Sequence, residues 1–247
     1  MKISAYVLTY NSERRLRDVL GALAQVADEL VVVDSGSRDA TLSICEAAGA
    51  KVFHRPFDDF ASQRNFALSC CSHPWVLEMD SDEVMSEDLI RAIPRLAFDV
   101  DGYRIRRDWY ALGRKVRCFY PSTCPDDPVR LYRKDKVRYE PAVRLIHEYP
   151  TGYASLGRIR EPISHYTCDS VDEMYSKVNR YTTLLGAQAR RESGRPPWWK
   201  VFVFPWLAWA DWYLRKGGFR DGWVGAVHGR YVRDTVWQKY LKARVDP

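Results

Sequence analysis

No Gly-x-Gly-x-x-Gly follows the first apolar segment, Ile3 to Val7, so the usual dinucleotide-binding fingerprint is missing and a nicotinamide dehydrogenase is disfavoured. The six cysteines form no C-x-x-C pair and have no zinc-ligand spacing. Buried or free thiols in a reducing compartment are therefore expected, and disulfides are not. Low-complexity tracts, internal repeats and heptads are absent. The apolar run near the carboxyl end, Val201 to Ala210, falls well short of the about 20 residues that a bilayer span needs. At the amino end, Met1 to Val7 is too short and too soon interrupted for a signal peptide and reads as a strand, which argues for a cytoplasmic protein.

The 247 residues suffice for one large core or two modest ones, and 46% hydrophobic with 28% charged residues is ordinary for a folded chain. The net charge of +6 is unevenly spread. From Arg195 to Pro247 there are ten Lys/Arg against four Asp/Glu, and residues 1–194 are neutral. The same tail holds seven of the nine tryptophans. Basic charge interleaved with Trp suits an anionic membrane surface. A nucleic acid is the weaker reading, because no recognition motif accompanies the charge.

The first half alternates strand and helix with short connections. Residues 2–8 form an apolar strand, and Asn11 is placed to cap a helix carrying Leu16, Val19, Leu20 and Leu23 on one face. Glu29 to Asp34 is a second strand, with the β-branched run of a strand buried on both faces. Ser37 or Asp39 can cap a helix reaching about Ala48, and Gly49 sits where a helix end wants positive φ. Lys51 to His54, Asp59 to Cys71 and Trp75 to Met79 follow as strand, helix and strand. This pattern means an α/β fold with a parallel, doubly wound sheet, in which ligands bind beyond the carboxyl ends of the strands. Thr9, Asp34 and Asp80 all fall at such ends. After Gly102 the alternation in 102–107 and 129–133 is that of half-buried antiparallel strands, with a hairpin turn at Leu112-Gly113-Arg114. From Ser170 the chain is helical, with Met174, Val178, Tyr181 and Leu185 on one face, until Gly194-Arg195-Pro196-Pro197 breaks it.

Asp80-Ser81-Asp82-Glu83 follows a buried-strand pattern. Two carboxylates one residue apart at a strand end can hold a hard divalent cation, directly or through water, and leave positions open for phosphate oxygens. Alone, such a triplet is equally a solvated turn or a helix cap.

Four segments, Tyr6 to Asn11, Val31 to Thr41, Gln63-Arg64-Asn65 and Asp80 to Glu83, resemble in order and spacing glycosyltransferase family 2. The resemblance implies a GT-A fold, a nucleotide-diphosphate sugar donor, a divalent metal (Mg²⁺ or Mn²⁺) and inversion at the anomeric carbon. Val143 to Glu148, Ile163 to Tyr166 and Gly217 to Gly222 look like the bacterial lipopolysaccharide-core glucosyltransferase subgroup, which adds β-1,4-glucose to the inner core. On this reading residues 1–168 are the catalytic domain and 169–247 a helical extension.

Thr9, Tyr10 and Asn11 are then placed to meet nucleobase and ribose. Asp34 either accepts from the uracil or ribose or caps a helix. Ser35, Ser37 and Asp39 bind the donor or shape a polar turn. Gln63 and Arg64 reach the sheet edge, where the guanidinium pairs with base or diphosphate or simply faces solvent. Asp82 is the first choice of metal ligand, with Asp80 and Ser81 at the ribose or metal shell and Glu83 behind them or exposed. His165 completes the metal site or is an ordinary structural histidine; an imidazole ligand tilts the choice toward Mn²⁺. An inverting transfer needs one general base on the acceptor hydroxyl. The resemblance points to Glu148, with Asp127 and His147 as alternatives.

The segment 198–216 reads as an interfacial helix bringing the site to a lipid-linked glycan on the inner face of the cytoplasmic membrane. The alternative is a helix packed on the catalytic domain or on a second subunit. A non-catalytic nucleotide-binding or membrane-docking module of the same fold is the competing function.

Overall fold

A computed structural model describes residues 1–117, 119–122, 126–140 and 150–246. The chain divides into two compact units, Met1–Arg107 with Asp126–His165, and Asp108–Pro125 with Tyr166–Pro247.

In the first unit β1 (Ile3–Thr9), α1 (Glu13–Leu23), β2 (Glu29–Asp34), α2 (Thr41–Ala47), β3 (Lys51–His54), α3 (Phe60–Cys70) and β4 (Trp75–Asp80) alternate as the sequence pattern predicts. β5 (Glu83–Met85) and α4 (Glu87–Ala92) follow. Then come β6 (Gly102–Ala111), β7 (Arg114–Val116), β8 (Val129–Arg133), β9 (Arg138–Tyr139), β10 (Pro150–Thr151) and β11 (Leu156–Cys168). The large sheet runs β3-β2-β1-β4-β8-β6-β11-β5, with β7 paired to β6; β9 and β10 form a separate ribbon. β1 is parallel to both β2 and β4, whereas β4–β8, β8–β6 and β5–β11 are antiparallel. The sheet is thus mixed, as a GT-A transferase requires.

Every residue of β2 is buried, as its unbroken β-branched run demands. Leu16, Val19, Leu20 and Leu23 of α1 pack with Ile3, Val7, Leu77 and Ile105 on one sheet face. Ala61, Ala67 and Leu68 of α3 cover the other face with Tyr6, Val33 and Tyr132. Gly49 closes α2 at φ +68°, and Leu112 and Gly113 turn the β6–β7 hairpin at φ +51° and +74°.

The first helix is not capped as the sequence suggests. Asn11 itself takes a left-handed conformation, φ +49°, and its side chain accepts from Arg38 N at 2.8 Å. Asp39 serves instead: its two oxygens accept from Glu13 N at 3.1 Å and Thr41 N at 3.0 Å, the first residues of α1 and α2. A residue after the next strand could take the role because β1 and β2 are neighbours.

The second unit carries α5 (Val171–Ser193), α6 (Trp198–Ala210) and α7 (Gly222–Val245). Ser170 caps α5, accepting from Glu173 N. Its buried stripe is Met174, Val178, Thr182 and Gly186, not the one through Tyr181 and Leu185. The shift follows from α7, which passes so close that a Cβ on Gly186 would meet Lys239 O at 3.1 Å. Among the described residues no helix is long and apolar enough to cross a membrane.

Candidate functional site

The site lies within the first unit. Sheet register puts Thr9 beside Asp34 and Leu8 beside Asp80, so the carboxyl ends of β2, β1 and β4 form one continuous edge. Asp34 is fully buried and accepts from Thr9 Oγ1 (3.0 Å), Ser37 Oγ (2.5 Å), Ser37 N (3.0 Å) and Gly36 N (2.9 Å). Burial alone would raise its pKa, but these donors hold the carboxyl below its usual value. Asp34 therefore builds the turn after β2, whose backbone passes through Gly36 at φ +97°. Ser37 Oγ also accepts from Asn11 N at 2.8 Å, tying that turn to the one after β1. Ser35 is held by Gln63, whose Nε2 reaches its Oγ at 3.0 Å and Arg55 O at 3.1 Å. Tyr10 is left largely exposed at the rim, 58% accessible.

Beside this edge lies a network of buried charges that sequence reasoning missed. Glu78, in the middle of β4, accepts through Oε1 from Arg64 Nη1 and, at 2.5 Å, from Arg130 Nη1. Its Oε2 accepts from Tyr132 Oη at 2.9 Å and from Tyr139 Oη. Asp80 receives Arg64 Nη2 at 3.1 Å on one oxygen and Arg130 Nη2 at 2.5 Å on the other. Glu83, expected behind the metal or exposed, is wholly buried; Arg107 Nη1 and Arg130 Nη2 meet its Oε1 at 2.9 and 2.7 Å. Arg64 accordingly faces carboxylates inside the protein, not solvent. Burial pushes the Asp80 carboxyl up, but the guanidiniums of Arg130, Arg64 and Arg107 outweigh it and hold Asp80 far below the carboxylate range. The one signal available in the sequence was Glu78 itself: an acid inside the apolar run Trp75 to Met79 requires a buried cation.

Asp82 adjoins this saturated cluster. Its Oδ1 lies 3.3 Å from His165 Nε2, and the β5–β11 ladder sets His165 opposite Glu83, whose Oε1 is 3.8 Å from Nδ1. Among the described residues no group of three or more His, Cys, Asp or Glu is arranged as a metal cage. Asp80 has both oxygens on guanidiniums, and Asp82 and His165 face one another beside it. A hard cation on two protein ligands keeps its other positions for water and phosphate oxygens. Ser81 sits half-buried in the turn between Asp80 and Asp82. Asp127 pairs through Oδ2 with Arg158, and its carbonyl accepts from Arg104 at 3.1 Å. Glu148 and His147 lie outside the described residues.

Comparison with known proteins bears on this arrangement. The family described as glycosyl transferase family 2 matches residues 4–110, which contain both strand-end turns and Asp82. An uncharacterized glycosyltransferase of Rickettsia conorii is 30% identical over 199 residues, covering 73% of this chain and 68% of that one. The chain belongs to glycosyltransferase family 2. Its similarity to the lipopolysaccharide core biosynthesis glycosyltransferase LpsC of Rhizobium meliloti runs nearly end to end: 29% identity over 262 residues, 99% of this chain and 95% of LpsC. In fold, this family 2 transferase resembles S. aureus TarS 1–349 in complex with UDP-GlcNAc, with a TM-score of 0.52 at 17% identity over 100% of this chain and 93% of that one.

Proposed function

We propose that this glycosyltransferase moves a hexose, glucose from UDP-glucose in the first instance, to a lipopolysaccharide-core or other lipid-linked glycan with inversion. The observation that carries the reading is the single edge formed by Thr9, Asp34 and Asp80, with the Asp82–His165 pair beside it. The near full-length similarity to a lipopolysaccharide core transferase supports the acceptor class, and the fold shared with a UDP-GlcNAc complex supports the donor class.

In this reading the turns braced by Asp34, Ser37, Asn11 and Asp39 present backbone and hydroxyl groups to the nucleoside, with Tyr10 at the rim. Asp82 and His165 hold Mg²⁺ or Mn²⁺, which when bound neutralises the diphosphate leaving group. Arg64 and Arg130 keep Asp80 ionised and fixed, so the edge around the cation stays rigid during transfer. Glu148 takes the proton of the acceptor hydroxyl. Asp127 is the weaker candidate because Arg158 already occupies one of its oxygens.

The experiment is transfer from UDP-glucose to a truncated lipopolysaccharide, with Mg²⁺, with Mn²⁺ and after chelation. Glu148→Gln should abolish turnover and keep UDP binding. Undiminished turnover in that variant would remove Glu148 as the base, and UDP binding with no turnover by the parent chain would favour the non-catalytic module.

Docking of the second unit on an anionic membrane surface supplies a lipid-linked acceptor. Trp198, Trp199, Phe202, Val203, Trp206 and Leu207 are exposed along α6 at helical spacing. Arg244 lies over Trp198, Lys200 over Trp199 and Arg233 over Trp206, at 5.3, 5.8 and 5.0 Å from the ring centroids. Cations ringing an apolar face match acidic headgroups above acyl chains. Cosedimentation with phosphatidylglycerol vesicles, lost in Trp199→Glu/Trp206→Glu, checks this. Equal recovery with neutral and acidic vesicles would count against it.

A further inference from the structure

Asp34 stands at the proposed donor edge, yet it has no means of reading a nucleobase itself. It is fully buried, and each of its oxygens already accepts from two protein donors. Thr9 Oγ1 and Ser37 Oγ share one oxygen, and Gly36 N and Ser37 N share the other. A carboxylate offers about four acceptor positions, and here all are taken. The next strand supplies what Asp34 lacks. The β2–β3 ladder pairs Asp34 with His54, the last residue of β3, and His54 Nδ1 lies 3.7 Å from Asp34 Oδ2. The imidazole is 66% accessible above a carboxylate that is 0% accessible. His54 thus sets one nitrogen against a buried anion and leaves most of its ring open to solvent.

The strand order sets what meets that ring. Along the edge β3, β2, β1 and β4 end in turn at His54, Asp34, Thr9 and Asp80. From β4 to β3 is three strand spacings, about 14 Å. A nucleoside diphosphate with its phosphates at the Asp82 end extends along this edge, past the exposed Tyr10, and brings its base to His54. Resting on the transferase reading, we propose that His54 reads the base and selects uracil over cytosine. Burial would raise the Asp34 carboxyl, but its donors hold it below its usual value, so it is an anion that only accepts. An anion beside Nδ1 of a neutral imidazole keeps the ring proton there and leaves Nε2 as an acceptor. Uracil presents N3–H, which donates to that lone pair. Cytosine carries no hydrogen on N3, so two lone pairs face each other and both stay unpaired.

The test is calorimetric titration of the full chain with UDP and with CDP, each in the presence of Mn²⁺. The two ligands share their ribose and diphosphate, so the ratio of their affinities reports on the base alone. The parent chain should hold UDP at least tenfold more tightly than CDP. His54→Ala should weaken UDP binding at least fivefold and bring the two affinities within about twofold of each other. His54→Gln, whose side-chain carbonyl can stand in for the Nε2 acceptor, should keep the preference for UDP. Because His54 is exposed, thermal unfolding of both variants should match the parent. Equal binding of UDP and CDP by the parent, or the parent's ratio persisting in His54→Ala, overturns the assignment while the donor reading stands. A parent chain that binds neither nucleotide sinks the donor reading, and the assignment falls with it.

Discussion

Arg130 and Asp80 share a 2.5 Å charge-assisted hydrogen bond in which the same guanidinium nitrogen also reaches Glu83 at 2.7 Å. The other terminal nitrogen holds Glu78 at 2.5 Å. One side chain, 4% accessible, thus bridges three acids from two strands, with Arg64 and Arg107 supplying the remaining positive charge. Removing one partner from such a buried network leaves uncompensated charge, which costs about 3–5 kcal/mol. Arg130→Met should lower unfolding stability by that order in urea denaturation. A loss below about 1 kcal/mol would show that Arg64 and Arg107 suffice without it.

The Asp82–His165 pair makes a separate forecast about the cation. Asp82→Asn should weaken metal-dependent UDP binding by at least tenfold. His165→Asn replaces a borderline-soft nitrogen with an oxygen donor, so the ratio of Mn²⁺-supported to Mg²⁺-supported activity should fall. An unchanged ratio, measured at saturating metal, would remove His165 from the coordination sphere.

Asp39 accepts from the first backbone N–H of two helices at once, and each such hydrogen bond is worth about 1 kcal/mol. Asp39→Ala should cost about 2 kcal/mol in thermal or urea unfolding. Because the same turns frame the proposed donor edge, its Kd for UDP should also rise. Asp39→Asn retains one acceptor oxygen and should recover roughly half of the stability.

His228 sets a pH dependence in the second unit. It is buried among Phe119, Trp212 and Tyr231, and its Nε2 accepts from Tyr120 N at 3.1 Å. Burial pushes its pKa down from 6.5 to about 3. Between those values the unfolded chain binds a proton that the folded chain refuses, so stability falls as pH falls, by up to about 1.4 kcal/mol per pH unit. From pH 7.5 to 5 the parent chain should lose about 2 kcal/mol more than His228→Gln, which keeps an acceptor for Tyr120 without titrating. Parallel curves for the two proteins would refute the assignment.

The first half of the fold was readable because its signals are local. The β-branched run of β2, the periodic leucines of α1 and Gly49 after α2 each fix their element without reference to the rest. The strand-end positions of Thr9, Asp34 and Asp80 follow from that alternation. Asn11 marks where local reading fails: it stands where a cap belongs, yet the cap comes from Asp39 across the β1–β2 pair. Arg130 and Glu83 fail for the same reason, since a charged residue in an alternating strand reads as solvent-facing until its buried partners are known.

By itself, then, the sequence determined the strand–helix order, the strand ends that form one edge and the family to which the chain belongs, because periodicity and motif spacing are properties of neighbours along the chain. Only the tertiary structure decided that Asp80 is bound to arginines while Asp82 faces His165. It also decided that Asp127 is tied to Arg104 and Arg158, and that Gly186 and not Leu185 meets α7. Those outcomes depend on which strands and helices lie side by side, where a buried charge must find its opposite and a backbone its space.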